Sequence, residues 1–132
     1  MLSKRDVGWL NSALRAAKSH DSGGHYALAA LVIQGGRVIS RGFNSYLRPA
    51  APKSPLYDYH GVHAELAALI DLLSGERRLK GATMYVAGVS KAGNTLHTTK
   101  PCPVCQELLQ RAGGAVDRVV FFEEGEPNEM VI

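Results

Sequence analysis

Two short motifs with metal-binding side chains constrain this chain more than any other feature of its sequence. His63-Ala64-Glu65 and Pro101-Cys102-Pro103-Val104-Cys105 each follow loop residues, and each opens a predicted helix. The folded chain therefore has to hold three candidate ligands, His63, Cys102 and Cys105, at the N-termini of two helices. The partial positive charge at a helix N-terminus favours thiolate over thiol.

Zinc is the metal that this set of donors favours. It prefers histidine nitrogen and cysteine thiolate, and a catalytic zinc takes three protein ligands plus one water. Glu65 lies two residues beyond His63, where it can take a proton from a water that the metal activates. We therefore predict a Zn2+ cofactor held by His63, Cys102 and Cys105, with Glu65 as the catalytic proton shuttle.

Each motif alone also has an interpretation without catalysis. A lone C-x-x-C is typical of a redox pair or of half a structural zinc site, and a lone histidine before a helix is often a cap or a core residue. A structural zinc needs four closed ligands, however, and the sequence has no second C-x-x-C. The other histidines, which we interpret as surface or loop residues, are His20, His25, His60 and His97.

The composition fits one domain spanning residues 1–132. The chain has 45% hydrophobic and 20% charged residues, close to the averages of globular proteins. It has no apolar run of membrane-spanning length and no apolar segment after its basic N-terminus, so we expect no membrane span and no secretory signal. Two cysteines in a single C-x-x-C suit a reducing, cytoplasmic location. A net charge of +3 is only weak evidence for nucleic-acid binding.

Hydrophobic periodicity predicts helices and strands that alternate along the chain. Ser3 can cap the first helix through a box that Asp6 completes, and Gly35-Gly36 separates two strand-like runs as a hairpin turn. The predicted elements are a helix over 3–18, strands over 26–33 and 38–44, a helix over 64–74, a strand over 82–89, a helix over 103–112 and a strand over 118–122. This order predicts an α/β fold, a three-layer α-β-α sandwich around a mixed β-sheet.

Burial expectations follow from the same patterns. The second helix is apolar almost all round, which predicts burial on most sides. The long segment over 45–62 leads straight into the histidine motif, so we interpret it as functional. The acidic segment over 123–129 is expected to be exposed, and residues 130–132 could add a short strand. The first helix is expected to pack one face inward, formed by Val7, Leu10, Leu14 and Ala17.

Together the two motifs form the H-x-E…P-C-x-x-C signature of zinc-dependent nucleobase deaminases. On these residues the chain resembles the cytidine deaminase-like superfamily, over roughly residues 27–122. The stretches PCPVCQELLQRAG, RVVF and RGFNS look most like its deoxycytidylate branch. The resemblance implies hydrolytic deamination of a cytosine nucleotide or nucleoside, with a dCMP-like substrate, to the uracil form with release of ammonia. It also implies a homo-oligomer.

The resemblance further implies contacts with the substrate. Asn44, at the end of the second strand, is expected to touch the sugar, although an asparagine there could simply close the strand. The backbone N–H of Ala64 is expected to meet the carbonyl oxygen of the base. Tyr59 could stack on the base, or it could pack as an aromatic residue within its loop.

Two other functions stay open at this point. A deaminase acting on cytosine or adenosine in single-stranded DNA or RNA needs stacking aromatics and flanking contacts, and the tyrosine-rich basic loop from Tyr46 to Tyr59 favours it. A domain that keeps zinc for stability alone would have no need of the Glu65 carboxylate. A small nucleotide or nucleoside is therefore the leading partner, with nucleic acid second.

Overall fold

The predicted helices and strands are all present, with small shifts at their ends. A computed structural model of the chain describes residues 2–45, 57–58, 61–73, 80–112 and 114–132. Its elements in chain order are α1 (Lys4–Lys18), β1 (Tyr26–Gln34), β2 (Arg37–Phe43), β3 (Tyr57–Asp58), β4 (Gly61–Val62), α2 (Ala64–Leu73), β5 (Ala82–Ser90), α3 (Pro103–Arg111), β6 (Val116–Glu123) and β7 (Glu126–Val131).

The first helix begins at the capping box that the sequence predicts. The Ser3 hydroxyl accepts a hydrogen bond from the Asp6 N–H at 3.1 Å, and the Asp6 carboxylate accepts one from the Ser3 N–H at 3.0 Å. These bonds satisfy backbone donors that the first turn of a helix leaves unpaired. Leu10 and Ala17 are buried as predicted, whereas Val7 is 38% exposed. The prediction for Val7 is wrong because this residue lies at the border of the buried arc of α1.

Gly35 and Gly36 form the tight turn between β1 and β2. Their φ angles are 58° and 73°, as a two-residue type I′ turn requires, and glycine adopts these angles without strain. The antiparallel pairing places Gly42 opposite Ala30. Because side chains alternate along a strand, Ser40 and Gly42 face the same side of the sheet.

The main sheet contains five strands in the order β2-β1-β5-β6-β7. β1 is antiparallel to both β2 and β5, β5 is parallel to β6, and β6 is antiparallel to β7. The crossover through α3 therefore joins parallel neighbours, as expected for strands that a helix connects. Outside this sheet, β3 and β4 form a short antiparallel ladder in which Tyr57 pairs with Val62.

The sheet lies between two helical layers, which confirms the predicted three-layer α-β-α sandwich. α1 covers one face, where Leu10 packs in a cluster with Tyr85 of β5. α2 and α3 cover the other face, where Leu69 and Leu109 pack in a cluster with Val86. Among the helices in the described ranges, none is both long and apolar enough to span a membrane.

Two expectations about the surface hold only in part. Ile70 and Leu73 of α2 are 48% and 58% exposed, because only the sides of α2 that face the sheet and α3 are covered. The acidic C-terminal segment is exposed or partly exposed as expected, but the strand that follows it is longer than expected, since β7 begins at Glu126 and pairs along β6. Its turn, Glu124-Gly125, has positive φ angles at both residues, 53° and 80°.

Candidate metal centre

The three predicted ligands meet between the N-termini of α2 and α3. His63 Nδ1 lies 3.8 Å from Cys102 Sγ and 3.4 Å from Cys105 Sγ. The three donor atoms all lie within 4.8 Å of one another. Cys105 is buried, while His63 and Cys102 are partly exposed, so one side of the cluster is accessible from solvent.

The chemistry and spacing of these donors fit zinc. Bonds of about 2.0–2.3 Å from zinc to nitrogen and sulfur place tetrahedral ligands about 3.3–3.8 Å apart. The measured separations between His63 Nδ1 and the two sulfurs, 3.8 and 3.4 Å, agree with this spacing. Among the described residues the cluster has three members, which is the number typical of a catalytic rather than a structural zinc site.

The start of α3 holds both cysteines in place. Cys102 is the N-cap residue, and its sulfur accepts a hydrogen bond from the Cys105 N–H at 3.4 Å. Pro103 follows in the first turn, where the missing N–H costs little. Gln106 Nε2 donates to the Pro101 carbonyl oxygen at 2.7 Å, which fixes the chain as it enters the helix.

Thr99 anchors the segment before the cysteines, at the point where β5 and β6 separate. Its buried hydroxyl donates to the Val86 carbonyl at 2.7 Å and accepts from the Phe122 N–H at 2.9 Å. Its backbone N–H donates to the Phe122 carbonyl at 2.8 Å. Thr99 thus bridges the two parallel strands just beyond the last pair of their ladder, Tyr85 and Val120, toward the edge at which open α/β sheets place their binding sites.

Gly42 and Ser40 fix the first turns of α2 against β2. A Cβ atom at Gly42 would lie 2.1 Å from the Ala68 nitrogen and 2.5 Å from the Ala64 carbonyl oxygen, so this approach of helix and strand requires glycine. The Ser40 hydroxyl lies 2.6 Å from the Ala68 carbonyl oxygen and 2.9 Å from Asp71 Oδ2. These contacts set the position of the α2 N-terminus and of the histidine that precedes it.

Glu65 is a buried carboxyl group beside the candidate ligands. It is 6% exposed, and burial raises its pKa above the usual range of a glutamate. Burial, followed by the nearby Glu65 charge, raises the pKa of the Cys105 thiol as well. A bound cation acts in the opposite direction, because positive charge favours both carboxylate and thiolate.

The three residues predicted to contact the substrate have different surroundings, and one of them lies outside the described residues. Asn44 follows β2, where its Oδ1 accepts from the Leu28 N–H at 2.8 Å and its Nδ2 donates to the Tyr26 carbonyl at 2.9 Å. The carboxamide thereby extends the pairing of β1 and β2, and its contact with a sugar stays a prediction. Ala64 is 1% exposed and is the first residue of α2. The N–H groups of the first turn of a helix donate to no carbonyl of that helix, and the Ala64 N–H is one of them. Tyr59 lies outside the described residues.

Sequence reasoning missed the residues that position the site. Ser40, Gly42 and Asn44 recur at every second position, and small or polar residues on one face of a strand indicate the close approach of another element. That signal was available for Gly42 and Ser40. Thr99 carries no comparable signal, since its partners on β5 and β6 are recognisable only once the strands are paired.

Known structures share this fold at low sequence identity. The cytidine deaminase of Burkholderia pseudomallei gives a TM-score of 0.64 at 19% identity, over 98% of this chain and 93% of that one. The dCMP deaminase of the cyanophage S-TIM5 in apo form gives 0.57 at 18% identity, over 90% of this chain and 82% of that one. Its complex with dCMP and dUMP gives 0.53 at 17% identity, over 90% and 81%.

A family match connects the fold to the site. No curated protein sequence matches the chain significantly, but the family model of the cytidine and deoxycytidylate deaminase zinc-binding region matches residues 3–123. The matched range contains Glu65 and the His63, Cys102 and Cys105 cluster, whose donors suit Zn2+ as the cofactor. The chain therefore belongs to the family of cytidine and deoxycytidylate deaminases that this zinc-binding region defines.

Proposed function

We propose that this deaminase removes the amino group of cytosine from a small nucleotide or nucleoside, a dCMP-like substrate first, and yields the uracil form and ammonia. The observation that supports this most is the cluster of His63, Cys102 and Cys105 beside the buried Glu65. Zinc held by these ligands supplies an activated water, because it lowers the pKa of water from about 15.7 to about 7.

Glu65 moves the proton in this proposal. Burial raises its pKa, whereas a zinc ion bound beside it would lower it. A shuttle is most effective when its pKa lies near the working pH. In this proposal Glu65 carries one proton from the water to the ring nitrogen and a second proton, from the hydroxyl group that the water leaves on the ring carbon, to the departing amine. In the same proposal the Ala64 N–H holds the carbonyl oxygen of the base, and Asn44 contacts the sugar.

The test is ammonia release by zinc-loaded protein across a substrate panel. The panel contains dCMP, CMP, deoxycytidine, cytidine, dCTP, and oligonucleotides with cytosine or adenosine. The cyanophage dCMP deaminase binds dCMP and dUMP, so free nucleotides come first. We expect turnover of a free nucleotide or nucleoside. Turnover of oligonucleotides alone would establish the alternative, a deaminase of single-stranded DNA or RNA, and no turnover of any cytosine compound would contradict the proposal.

Glu65→Gln tests the proton shuttle separately from the substrate. Glutamine keeps the shape of the side chain but cannot titrate, so we expect kcat to fall by about 10²–10⁴-fold while the zinc content stays unchanged. Glu107→Gln is the control, because Glu107 is 59% exposed on α3 and should be dispensable for activity. A Glu65→Gln enzyme with wild-type kcat would remove the shuttle role from Glu65.

A further inference from the structure

The outer face of α1 carries positive charge that no exposed acid on the helix balances. The single acid of α1, Asp6, is 5% exposed and forms an ion pair with Arg118 of β6 at 2.7 Å. At 3.6 residues per turn the four cations fall within about 140° of the helix circumference, along about 21 Å of its length. The exposed cations of α1 are Lys4, Arg5, Arg15 and Lys18.

The neighbouring edge strand β2 extends this basic face. Arg41 pairs with Leu31 of β1, and Leu31 packs in the same cluster as α1 residues, so Arg41 projects on the α1 side of the sheet. Both Arg41 and Arg37 are exposed. Over residues 4–18 and 34–43 the sequence contains six cations and one acid, the buried Asp6, which gives this side a positive potential.

A hollow of about 550 Å³ lies between α1 and the turn that joins β1 to β2. It is lined by Arg5, Gly8, Trp9, Ser12, Gly35 and Gly36. The three glycines leave open space, since nothing lies within 4 Å of the position of a Cβ atom at any of them. A partly exposed indole beside a guanidinium group forms a surface on which a flat base can stack.

We propose that this α1 face, formed by Lys4, Arg5, Trp9, Arg15 and Lys18, binds single-stranded nucleic acid. Its cations contact phosphates, and an unpaired base enters the hollow and stacks on Trp9. The face lies on the opposite side of the sheet from the metal centre, so the proposal does not depend on which substrate that centre deaminates.

Other polyanionic partners suit this face less well. A duplex offers phosphates but no free base for the hollow beside Trp9. A lipid surface requires large apolar side chains that project outward along the helix, and on α1, which the structure describes in full, Val7 alone among the large apolar residues is exposed, at 38%.

The test measures the binding of a labelled thymine-only oligonucleotide of about 15 nucleotides. Fluorescence anisotropy gives the binding constant K at several salt concentrations. Thymine carries no amino group, so turnover at the metal centre does not interfere. For single strands the slope of log K against log salt is about −0.7 per neutralised phosphate, so the four α1 cations predict a slope of about −2.8. Trp9 is the only tryptophan, and stacking should quench its fluorescence.

Matched arginine variants locate the binding. Arg15→Ala should reduce the magnitude of the slope by about 0.7, and the double variant Arg5→Ala with Arg15→Ala by about 1.4. Alanine is a good helix former, so circular dichroism should show unchanged folding. Arg111→Ala is the control, since Arg111 is an exposed arginine in the last turn of α3, and it should leave the slope unchanged.

Several results would overturn this proposal. They are no oligonucleotide binding at low salt, an equal loss of binding in Arg111→Ala, binding without quenching of Trp9, and equal binding of a DNA duplex or of anionic lipid vesicles. Each of these outcomes would show that the α1 face is not a site for single-stranded nucleic acid.

Discussion

Gly42 sets how closely α2 approaches the sheet. A methyl group there would meet the α2 backbone at 2.1–2.7 Å, and backbone atoms cannot move aside as a flexible side chain can. We expect Gly42→Ala to lower the free energy of unfolding by about 1–3 kcal/mol or more. Zinc affinity should also fall, because His63 precedes the displaced turn. Thermal melts and zinc titration against a chromophoric chelator measure the two effects.

Gly8 supplies the control for this substitution. It is exposed inside α1, with nothing within 4 Å of the position of a Cβ atom. Gly8→Ala should raise the free energy of unfolding by about 0.5–1 kcal/mol and leave zinc affinity unchanged. Wild-type stability and zinc affinity in Gly42→Ala would show that α2 can shift without loss, contrary to the packing argument.

The roles of some single residues can be predicted from the sequence, and those of others cannot. The candidate ligands were predictable, because two motifs combine the donor type with the spacing that a metal requires. Small and polar residues at alternate positions of β2 also signal the close approach at Gly42, but the contacts of Thr99 were not predictable, since they depend on which strands lie side by side. Asn44 shows the same limit: its position was predictable, but the pairing of its carboxamide with β1 follows from the sheet.

A partly buried ion pair joins α1 to three strands of the sheet. Arg118 of β6 donates to the two carboxylate oxygens of Asp6 at 2.7 and 3.1 Å, and the Tyr85 hydroxyl of β5 donates to Asp6 at 2.6 Å. Glu129 of β7 accepts from the same guanidinium at 2.7 Å. The Arg118 guanidinium holds the pKa of Asp6 well below its usual range despite burial. Docking of α1 therefore depends on the charged form of Asp6.

Asp6→Asn should reveal this dependence through pH. The folded pKa of Asp6 lies below its unfolded value of about 3.9, so its stabilisation is complete above that pH and is lost as the pH falls toward the folded pKa. We expect Asp6→Asn to lower the free energy of unfolding by on the order of 2–3 kcal/mol at pH 7. The difference in free energy of unfolding between this variant and the wild type should shrink below about pH 4. Urea unfolding with a chelator present, which removes zinc from both proteins, measures this difference.

An exposed ion pair provides the comparison. Glu107 and Arg111 lie one helical turn apart on α3, with side chains 59% and 77% exposed. Glu107→Gln should therefore change the free energy of unfolding by less than about 0.5 kcal/mol. If the difference in free energy of unfolding between Asp6→Asn and the wild type stayed constant with pH, the charge of the Asp6 carboxylate would not be the cause of that difference.

The C-terminal hairpin shows which elements hydrophobic patterns leave undetected. β7 reads Glu-Pro-Asn-Glu-Met-Val, and charged residues and proline are common on edge strands because they discourage pairing with other chains. Its turn is also poorly signalled, since Glu124 has a φ angle of 53°, which is uncommon for a residue other than glycine. By contrast, the Gly-Gly turn and the strands that flank it made the first hairpin predictable.

The layer order of the whole molecule was predictable, whereas its charge distribution was not. Helices interleaved with strands leave few ways to cover both faces of a sheet. The α1 cations are scattered in sequence, and the sequence does not reveal that their one acidic neighbour on the helix, Asp6, is buried against Arg118. The homo-oligomer and the cytoplasmic location stay predictions.

Zinc should couple the two helices of the site to the stability of the whole domain, because His63 precedes α2 while Cys102 and Cys105 open α3. A ligand that binds only the folded state adds about 2.7 kcal/mol at a hundredfold excess over Kd, which is roughly 10 °C in Tm for a domain of this size. We expect a chelator to lower the Tm of the wild type by about this amount. Cys102→Ser should melt at the same low temperature with or without zinc.

Glu65→Gln separates the metal from the chemistry in the same melting experiment. In our proposal Glu65 moves protons and does not bind zinc, so this variant should keep the full zinc-dependent rise in Tm although it has lost activity. If chelation abolished activity but left the wild-type Tm unchanged, zinc would not link α2 to α3. A zinc-dependent rise that persisted in Cys102→Ser would remove Cys102 from the ligand set, and loss of that rise in Glu65→Gln would make Glu65 a ligand instead of a shuttle.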